Sequence, residues 1–255
     1  MIKNFKIKNI GFGPRHPLVL IAGPCVIETR KKTINIAEKL VQMSKKLNIP
    51  LIFKASYDKA NRTSIKSYRG VGINKGKDIL SEIKERFNIP ILTDAHNIEE
   101  IKKISNIVDI IQLPAFLIRQ TDFVLAAGNS GCALNIKKAQ FLAPWDMINV
   151  IEKIESTGNK KIIITERGTS FGYNTLVADM RSLIIMRDLG YPIIFDATHS
   201  VQSPGGNGNS SGGDGIFAPY LAKAAVAVGV NGVFIETHPN PKKSLSDGPN
   251  MIPLS

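Results

Sequence analysis

Apolar runs that stop abruptly at charged residues set the rhythm of this chain. The run from Leu18 to Gly23 ends in Pro24 and Cys25, Leu51 to Phe53 in Lys54, and Ile91 to Thr93 in Asp94. Ala133 to Ile136 ends in Lys137 and Lys138, and Ile162 to Thr165 in Glu166 and Arg167. Ile193 to Phe195 ends in Asp196, with His199 three residues on, and Val233 to Ile235 ends in Glu236. Short apolar runs between turn signals read as strands buried on both faces. The last four of these runs fit strands over 133–138, 161–167, 192–198 and 232–237, and one further strand over 109–114 brings the count to eight.

Helical spacing fills the intervals. Ile34, Ala37, Leu40, Val41, Ser44 and Leu47 recur as one helix face, and the pattern predicts further helices near 76–87, 97–105, 119–129, 145–156, 178–189 and 216–228. The stop signals repeat as Asn48-Ile49-Pro50, Asn88-Ile89-Pro90 and Gly190-Tyr191-Pro192. Asn or Gly there adopts a left-handed cap, and Pro cannot continue the helical ladder. Eight strands at roughly 30-residue spacing, alternating with helices, fit a single-domain (β/α)8 TIM barrel over residues 1–255 with a short N-terminal extension. An open doubly wound sheet would call for a Gly-rich dinucleotide turn after a strand, and Gly70-Val71-Gly72 follows no strand. The Gly- and Ser-rich stretch 203–213 reads as a flexible loop after strand seven, either a lid over the rim or a plain connector.

Length agrees: 255 residues suit one such barrel. No stretch is apolar enough for a membrane span, and the start lacks the apolar core of a signal peptide, so a cytoplasmic protein is expected. Two cysteines, Cys25 and Cys132, are too few for a disulfide framework. The net charge of +12 reads either as a nucleic-acid footprint or as Lys-rich helices around a pocket for anions.

The rim of such a barrel carries the chemistry. Lys54, Lys59, Arg62, Lys137 and Arg167 stand at or just after strand ends, and converging cations imply a ligand with several negative charges. Cys25, His199 and Glu236 end strands one, seven and eight, which become neighbours when a barrel closes, and Asp247 follows on the last loop. Thiolate, imidazole and two carboxylates are a plausible set for a divalent transition metal, against the plainer alternative of a small buried thiol and a structural histidine.

Long motifs carry a resemblance. Ile21-Ala22-Gly23-Pro24-Cys25, the segment from Phe53 to Ser64, Gln112 to Asp122, Asn135 to Lys138, Gln140 to Trp145, Thr165 to Gly168 and Asp196 to Gln202 are similar to the 3-deoxy-D-manno-octulosonate 8-phosphate synthases. That family condenses phosphoenolpyruvate with arabinose 5-phosphate and water for lipopolysaccharide synthesis in Gram-negative bacteria. The enol carbon attacks the sugar aldehyde, water adds at the carbon bearing phosphate, and phosphate leaves by C–O cleavage. The resemblance implies that Lys137 and Arg167, with the backbone near Ala115, hold the phosphate of phosphoenolpyruvate. It gives Lys54, Lys59 and Gln112 its carboxylate, and Asn61, Arg62 and Ser64 the sugar phosphate. Asp94 would meet the sugar hydroxyls, and Lys54, Lys59, Asp94 and His199 would be the catalytic set. Arg119 would reach a neighbouring subunit's sugar phosphate, implying a homotetramer. Cys25 marks the metal-dependent branch, with Cys25, His199, Glu236 and Asp247 holding an ion of the Fe²⁺, Zn²⁺ or Mn²⁺ type and no organic cofactor. Asp247-Gly248-Pro249 resembles a run also found in the metal-free branch, where Asn replaces Cys25.

The family continues past the segment matching Pro253-Leu254-Ser255 into a last helix, so apolar barrel surface is expected to be uncovered or shielded by a partner. A sister enzyme condenses phosphoenolpyruvate with erythrose 4-phosphate, but it typically carries Lys-Pro-Arg-Thr where this chain has Lys59-Ala60-Asn61-Arg62. A basic nucleic-acid-binding protein would show aromatics interleaved with a Lys/Arg stripe, whereas aromatics are 7% of the chain and the key cations follow buried strands. No nucleic-acid or membrane partner is therefore expected.

Overall fold

The computed structural model describes residues 2–208 and 210–254. Met1, Asn209 and Ser255, touched by the readings of the chain start, the loop and the chain end, lie outside the described residues. Eight parallel strands form the frame: β1 (Val19–Gly23), β2 (Leu51–Lys54), β3 (Ile91–Asp94), β4 (Ile110–Leu113), β5 (Ala133–Lys137), β6 (Ile162–Glu166), β7 (Ile193–Asp196) and β8 (Gly232–His238). Each pairs with the next, and β8 returns to β1 in a register running from Gly232 opposite Val19 to Glu236 opposite Gly23. The sheet has closed, and the fold is a (β/α)8 barrel.

The continuous apolar runs resolve into two faces. Ile21, Ile52, Leu92, Ile110, Ala133, Ile163, Ile194 and Phe234, one from each strand, pack together inside the barrel. Their neighbours in sequence, among them Leu51, Phe53, Ile111, Leu134, Ile162, Ile164, Ile193 and Phe195, join the helix-facing core. Alternation of side chains along a strand produces this split. It leaves no polar face for the sequence pattern to show. Gly23 is needed where β1 meets β2, because a Cβ there would lie 1.8 Å from the Lys54 carbonyl oxygen.

Among the described residues seven α-helices surround the barrel: α1 (Arg30–Leu47), α2 (Ile73–Phe87), α3 (Ile98–Ile104), α4 (Thr121–Gly128), α5 (Met147–Glu155), α6 (Met180–Arg187) and α7 (Ala218–Val228). Asn48 and Asn88 cap α1 and α2 in the left-handed conformation, as the stop signals imply. The third signal works differently: α6 ends at Arg187 with Asp188 as a right-handed cap, and Gly190 takes its positive φ two residues past that cap. α2 starts at Ile73, earlier than the spacing suggests, with Gly72 as its cap.

Three features depart from the sequence reading or sharpen it. The N-terminal extension is an antiparallel hairpin, Phe5–Ile7 with Ile10–Phe12, whose Ile7, Ile10 and Phe12 plug the barrel floor against the inner cluster. The loop after β7 is pinned at its base by a ladder of Gln202–Ser203 with Gly212–Gly213. Ile252–Pro253 runs parallel to the end of β8, and no eighth helix lies among the described residues. No helix among the described residues is long and apolar enough to cross a membrane.

Candidate active site

The alternation that builds the core also builds the site. Two residues beyond each inner core residue, the chain points inward again one layer higher. From Ile52 this gives Lys54, from Leu92 Asp94, and from Ile110 Gln112. Ala133 leads to Asn135 and Lys137, Ile163 to Thr165 and Arg167, Ile194 to Asp196, and Phe234 to Glu236. Every one of these polar side chains is buried. Above them opens a cavity of about 350 Å³ at the C-terminal end of the strands. Lys59, Asn61, Arg62, Asp94, Gln112, Ala115, Lys137, Arg167, His199, Glu236 and Asp247 all line it.

Other expected residues lie elsewhere. Lys54 sits behind the cavity wall, donating to Glu236 Oε1 at 2.6 Å and to the Cys25 carbonyl at 3.0 Å. Cys25 is fully buried beside Asp247. Ser64 is half-buried in a local turn, its hydroxyl accepting from Lys66 N, and is not part of the lining. Arg119 is exposed in a shallow outer depression shared with His96.

The charges are arranged for an anion. Lys137 is ion-paired with Asp196, and its ammonium stands 3.3 Å over the Phe234 ring. Burial pulls the Lys137 pKa down to about 8 against the attraction of Asp196. Asp196 stays well below the usual carboxylate range, because His199 and Lys137 together overcome its desolvation. Arg167 donates through Nη2 to Gln202 Oε1 at 2.8 Å, while its buried Nη1 has no partner. Burial also lowers the Arg167 pKa, and Arg62 Nε is a second buried donor without a partner. Buried donors are nearly always satisfied, so unpartnered guanidinium nitrogens at a cavity point to an anionic ligand.

Beside them the metal-type residues converge. One ligand atom each from Cys25, Glu236 and Asp247 lies within 4.8 Å of the others. The Cys25 thiol is 3.1 Å from Ser246 Oγ and 3.2 Å from Asp247 Oδ2. His199 Nδ1 meets Asp196 Oδ2 at 2.6 Å, and Nε2 lies 3.5 Å from Glu236 Oε2. His199 thus joins the group through Glu236 rather than sitting within the tight trio. Burial first, then Glu236 and Asp247, push the Cys25 thiol up, with Lys59 and Lys54 opposing. Asp247 is held at φ 48°, a conformation a non-glycine residue adopts at a cost, and this aims its carboxylate at the thiol. Soft sulfur and carboxylate oxygens in one spot, with the imidazole adjoining through Glu236, fit a divalent transition ion.

Several residues of the site are not among the candidates the sequence offers. Asp196 is legible as a charged strand end and opens the motif that contains His199, yet neither the rim pattern nor the resemblance gives it a role. Gln202 connects Arg167 to Asp247 Oδ1, at 3.2 Å from the latter, and Ser246 joins Arg62, at 2.7 Å, to Cys25. Those two lie on loops, and no periodicity marks them. Pro204, Gly205, Ser210 and Ser211 bring the loop after β7 over the cavity, so it is part of the wall and not a plain connector.

A closed parallel barrel whose C-terminal mouth gathers cations around a partly enclosed cavity, with a buried thiol and carboxylates beside them, defines an enzyme acting on small anionic substrates. The chain belongs to the DAHP synthetase I family, whose model matches residues 3–255. It is 61% identical to the 2-dehydro-3-deoxyphosphooctonate aldolase of Granulibacter bethesdensis over 97% of this chain and 88% of that protein. It is 56% identical to the protein of the same name from Geobacter metallireducens, over 100% of this chain and 93% of the relative. A further namesake, from Trichlorobacter lovleyi, is 54% identical over 100% of this chain and 94% of its own length.

Proposed function

We propose that the protein condenses phosphoenolpyruvate with arabinose 5-phosphate and water, releasing 3-deoxy-D-manno-octulosonate 8-phosphate and phosphate for lipopolysaccharide synthesis. One observation carries this reading in the geometry: a cavity lined by Lys59, Arg62, Lys137 and Arg167, with guanidinium nitrogens of Arg62 and Arg167 left free. The relatives' shared name supports the octulosonate product over the erythrose 4-phosphate alternative. Asn61 and Arg62 line the same wall at the positions that depart from the sister enzyme.

Lys137 and Arg167 hold the phosphate of phosphoenolpyruvate, and Lys59 and Gln112 take its carboxylate. Lys54, fixed by Glu236 and the Cys25 carbonyl, adds its charge from beneath. These cations are placed before reaction, so they stabilise charge that shifts toward the departing phosphate without reorganising. Asn61 and Arg62 orient the sugar phosphate, with Ser64 shaping their loop, and Asp94 faces the sugar hydroxyls. Asp196 holds the His199 ring by Nδ1, which directs Nε2 toward Glu236 and the attacking side of the site.

Cys25, Glu236 and Asp247, with His199 Nε2, would hold a divalent ion of the Fe²⁺, Zn²⁺ or Mn²⁺ type. Such an ion supplies Lewis-acid and templating chemistry where aldehyde and water meet. No organic cofactor enters the reading.

A homotetramer is part of the same proposal. Phe116, Phe141, Trp145, Phe171 and Tyr173, on the loops after β4, β5 and β6, are exposed together with Arg119. A second copy covering these aromatics would carry Arg119 toward its neighbour's site. Phosphorylated substrates of this kind fit a cytoplasmic enzyme, and the reading needs neither nucleic acid nor membrane.

Phosphate release from phosphoenolpyruvate, measured with each aldose phosphate, tests the assignment. Arabinose 5-phosphate is expected to support turnover and erythrose 4-phosphate to do so poorly. Comparable kcat/KM for the two sugars would overturn it.

A further inference from the structure

We propose that Glu100, on the first turn of α3 and outside the cavity lining, is a positioning residue for the sugar half of the site: acting through His96, it holds the Asp94 carboxylate in the orientation that faces the cavity. The inference rests on the reading that Asp94 meets the sugar hydroxyls. Asp94 Oδ1 accepts from the Ser56 hydroxyl, and Oδ2 faces His96 Nε2 at 3.1 Å. On the far side of the ring, His96 Nδ1 faces Glu100 Oε2 at 3.0 Å. Both ring nitrogens therefore meet carboxylates, which when ionised only accept. The ring satisfies both at once as the doubly protonated imidazolium. Burial alone would lower the His96 pKa, but its bonds to Asp94 and Glu100 outweigh this and raise it to about 9.

Glu100 is itself held from several sides. Its Oε2 also accepts from the Tyr57 hydroxyl at 2.7 Å and from His96 N at 2.8 Å, and its Oε1 from Asn97 Nδ2 at 3.0 Å. Tyr57 is 1% exposed, and it fits only because residue 76 of α2 is glycine, where a Cβ would lie 2.3 Å from its own. The remaining charges near the network are Lys59 and Lys54, acting on Asp94, Asp58, acting on Tyr57, Arg69, acting on Glu100, and Arg119, which shares the outer depression with His96. Replacing Glu100 by Gln keeps an acceptor for Nδ1–H but removes the charge that keeps the ring doubly protonated. A neutral ring donating from Nδ1 would turn a bare Nε2 lone pair toward Asp94 Oδ2. Asp94 would then rotate away or the ring would flip.

A capping role alone would be structural: Asn97 accepts from Glu100 N at 2.9 Å, as in a capping box. Two measurements on Glu100→Gln separate the roles. The His96 ring, followed by NMR and assigned with His96→Gln, should titrate about one pH unit or more lower than in the parent. At a pH between the His96 titrations of variant and parent, where only the variant's ring is neutral, the KM for arabinose 5-phosphate should rise about tenfold while that for phosphoenolpyruvate changes less than about twofold. An unmoved His96 titration overturns the proposal whatever the kinetics, and so does a fall in melting temperature with both KM values unchanged. Asp94→Asn separates the remaining case. If it raises the sugar KM and Glu100→Gln does not, the positioning role fails; if it leaves that KM unchanged, the assignment of Asp94 falls and the proposal with it. Should Glu100→Gln not fold, His96→Asn tests the same link from its other end, with selective loss of sugar affinity expected and an unchanged sugar KM refuting it.

Discussion

Replacing Arg167 by Met removes the guanidinium and keeps most of the stem's volume. In the free protein Arg167 makes one hydrogen bond, to Gln202, and leaves Nη1 buried without a partner. A phosphate seated there would receive about two charge-assisted hydrogen bonds, each worth roughly 1.5–3 kcal/mol. Taking about 4 kcal/mol for the pair, kcat/KM for phosphoenolpyruvate should fall about a thousandfold. Stability should respond differently. The neighbouring carboxylates Asp196, Asp247, Glu166 and Glu236 all favour the charged guanidinium, yet burial outweighs them and its pKa is lowered. The fold thus disfavours this charge relative to water, and removing it relieves that cost. The expected result is a severe kinetic loss with a melting temperature that does not fall. Phosphate release at varied phosphoenolpyruvate, paired with thermal unfolding followed by circular dichroism, reads both. A variant within about tenfold of the parent in kcat/KM would refute the phosphate assignment. A large drop in melting temperature would instead mark Arg167 as a structural ion-pair residue.

Three further outcomes are expected. Lys137 is charged below its pKa of about 8 and neutral above it, so kcat/KM for phosphoenolpyruvate should decline above about pH 8, and a flat profile to pH 10 would contradict its role. Because the unfolded lysine keeps its proton up to about 10.5, this residue makes stability rise with pH between those two values, which chemical denaturation across that window can detect. Chelation should remove activity together with bound metal counted by elemental analysis, and affinity should weaken as pH falls because the Cys25 thiol must lose its proton. Cys25→Ala should lose that metal, and stoichiometric metal in this variant would exclude the thiol as a ligand. If Arg119 completes a neighbour's site, mixing Arg119→Ala with Arg167→Met should form hybrid oligomers more active than either parent, and light scattering showing a fully active monomer would rule the arrangement out.

The sequence by itself determined the barrel and most of its rim. Apolar runs ending in Lys54, Asp94, Lys137, Arg167, Asp196 and Glu236 are a local signal, since a strand buried on both faces must be apolar until it reaches the mouth. The stops at Asn48 and Asn88 were legible for the same reason, because the left-handed cap is a property of single residues. Tertiary structure alone decided which of two adjacent residues faces the cavity, because a run apolar on both faces carries no alternation to read. It also decided that Lys54 is spent on Glu236 behind the wall while Lys137 stands in the cavity, although both end strands. Ser246, Gln202 and Glu100 reach their partners across sequence separations of 221, 45 and 43 residues, to Cys25, Asp247 and Tyr57 respectively. Contacts of that range come from loops and helix ends brought together by barrel closure, and closure leaves no periodic mark on the residues it joins.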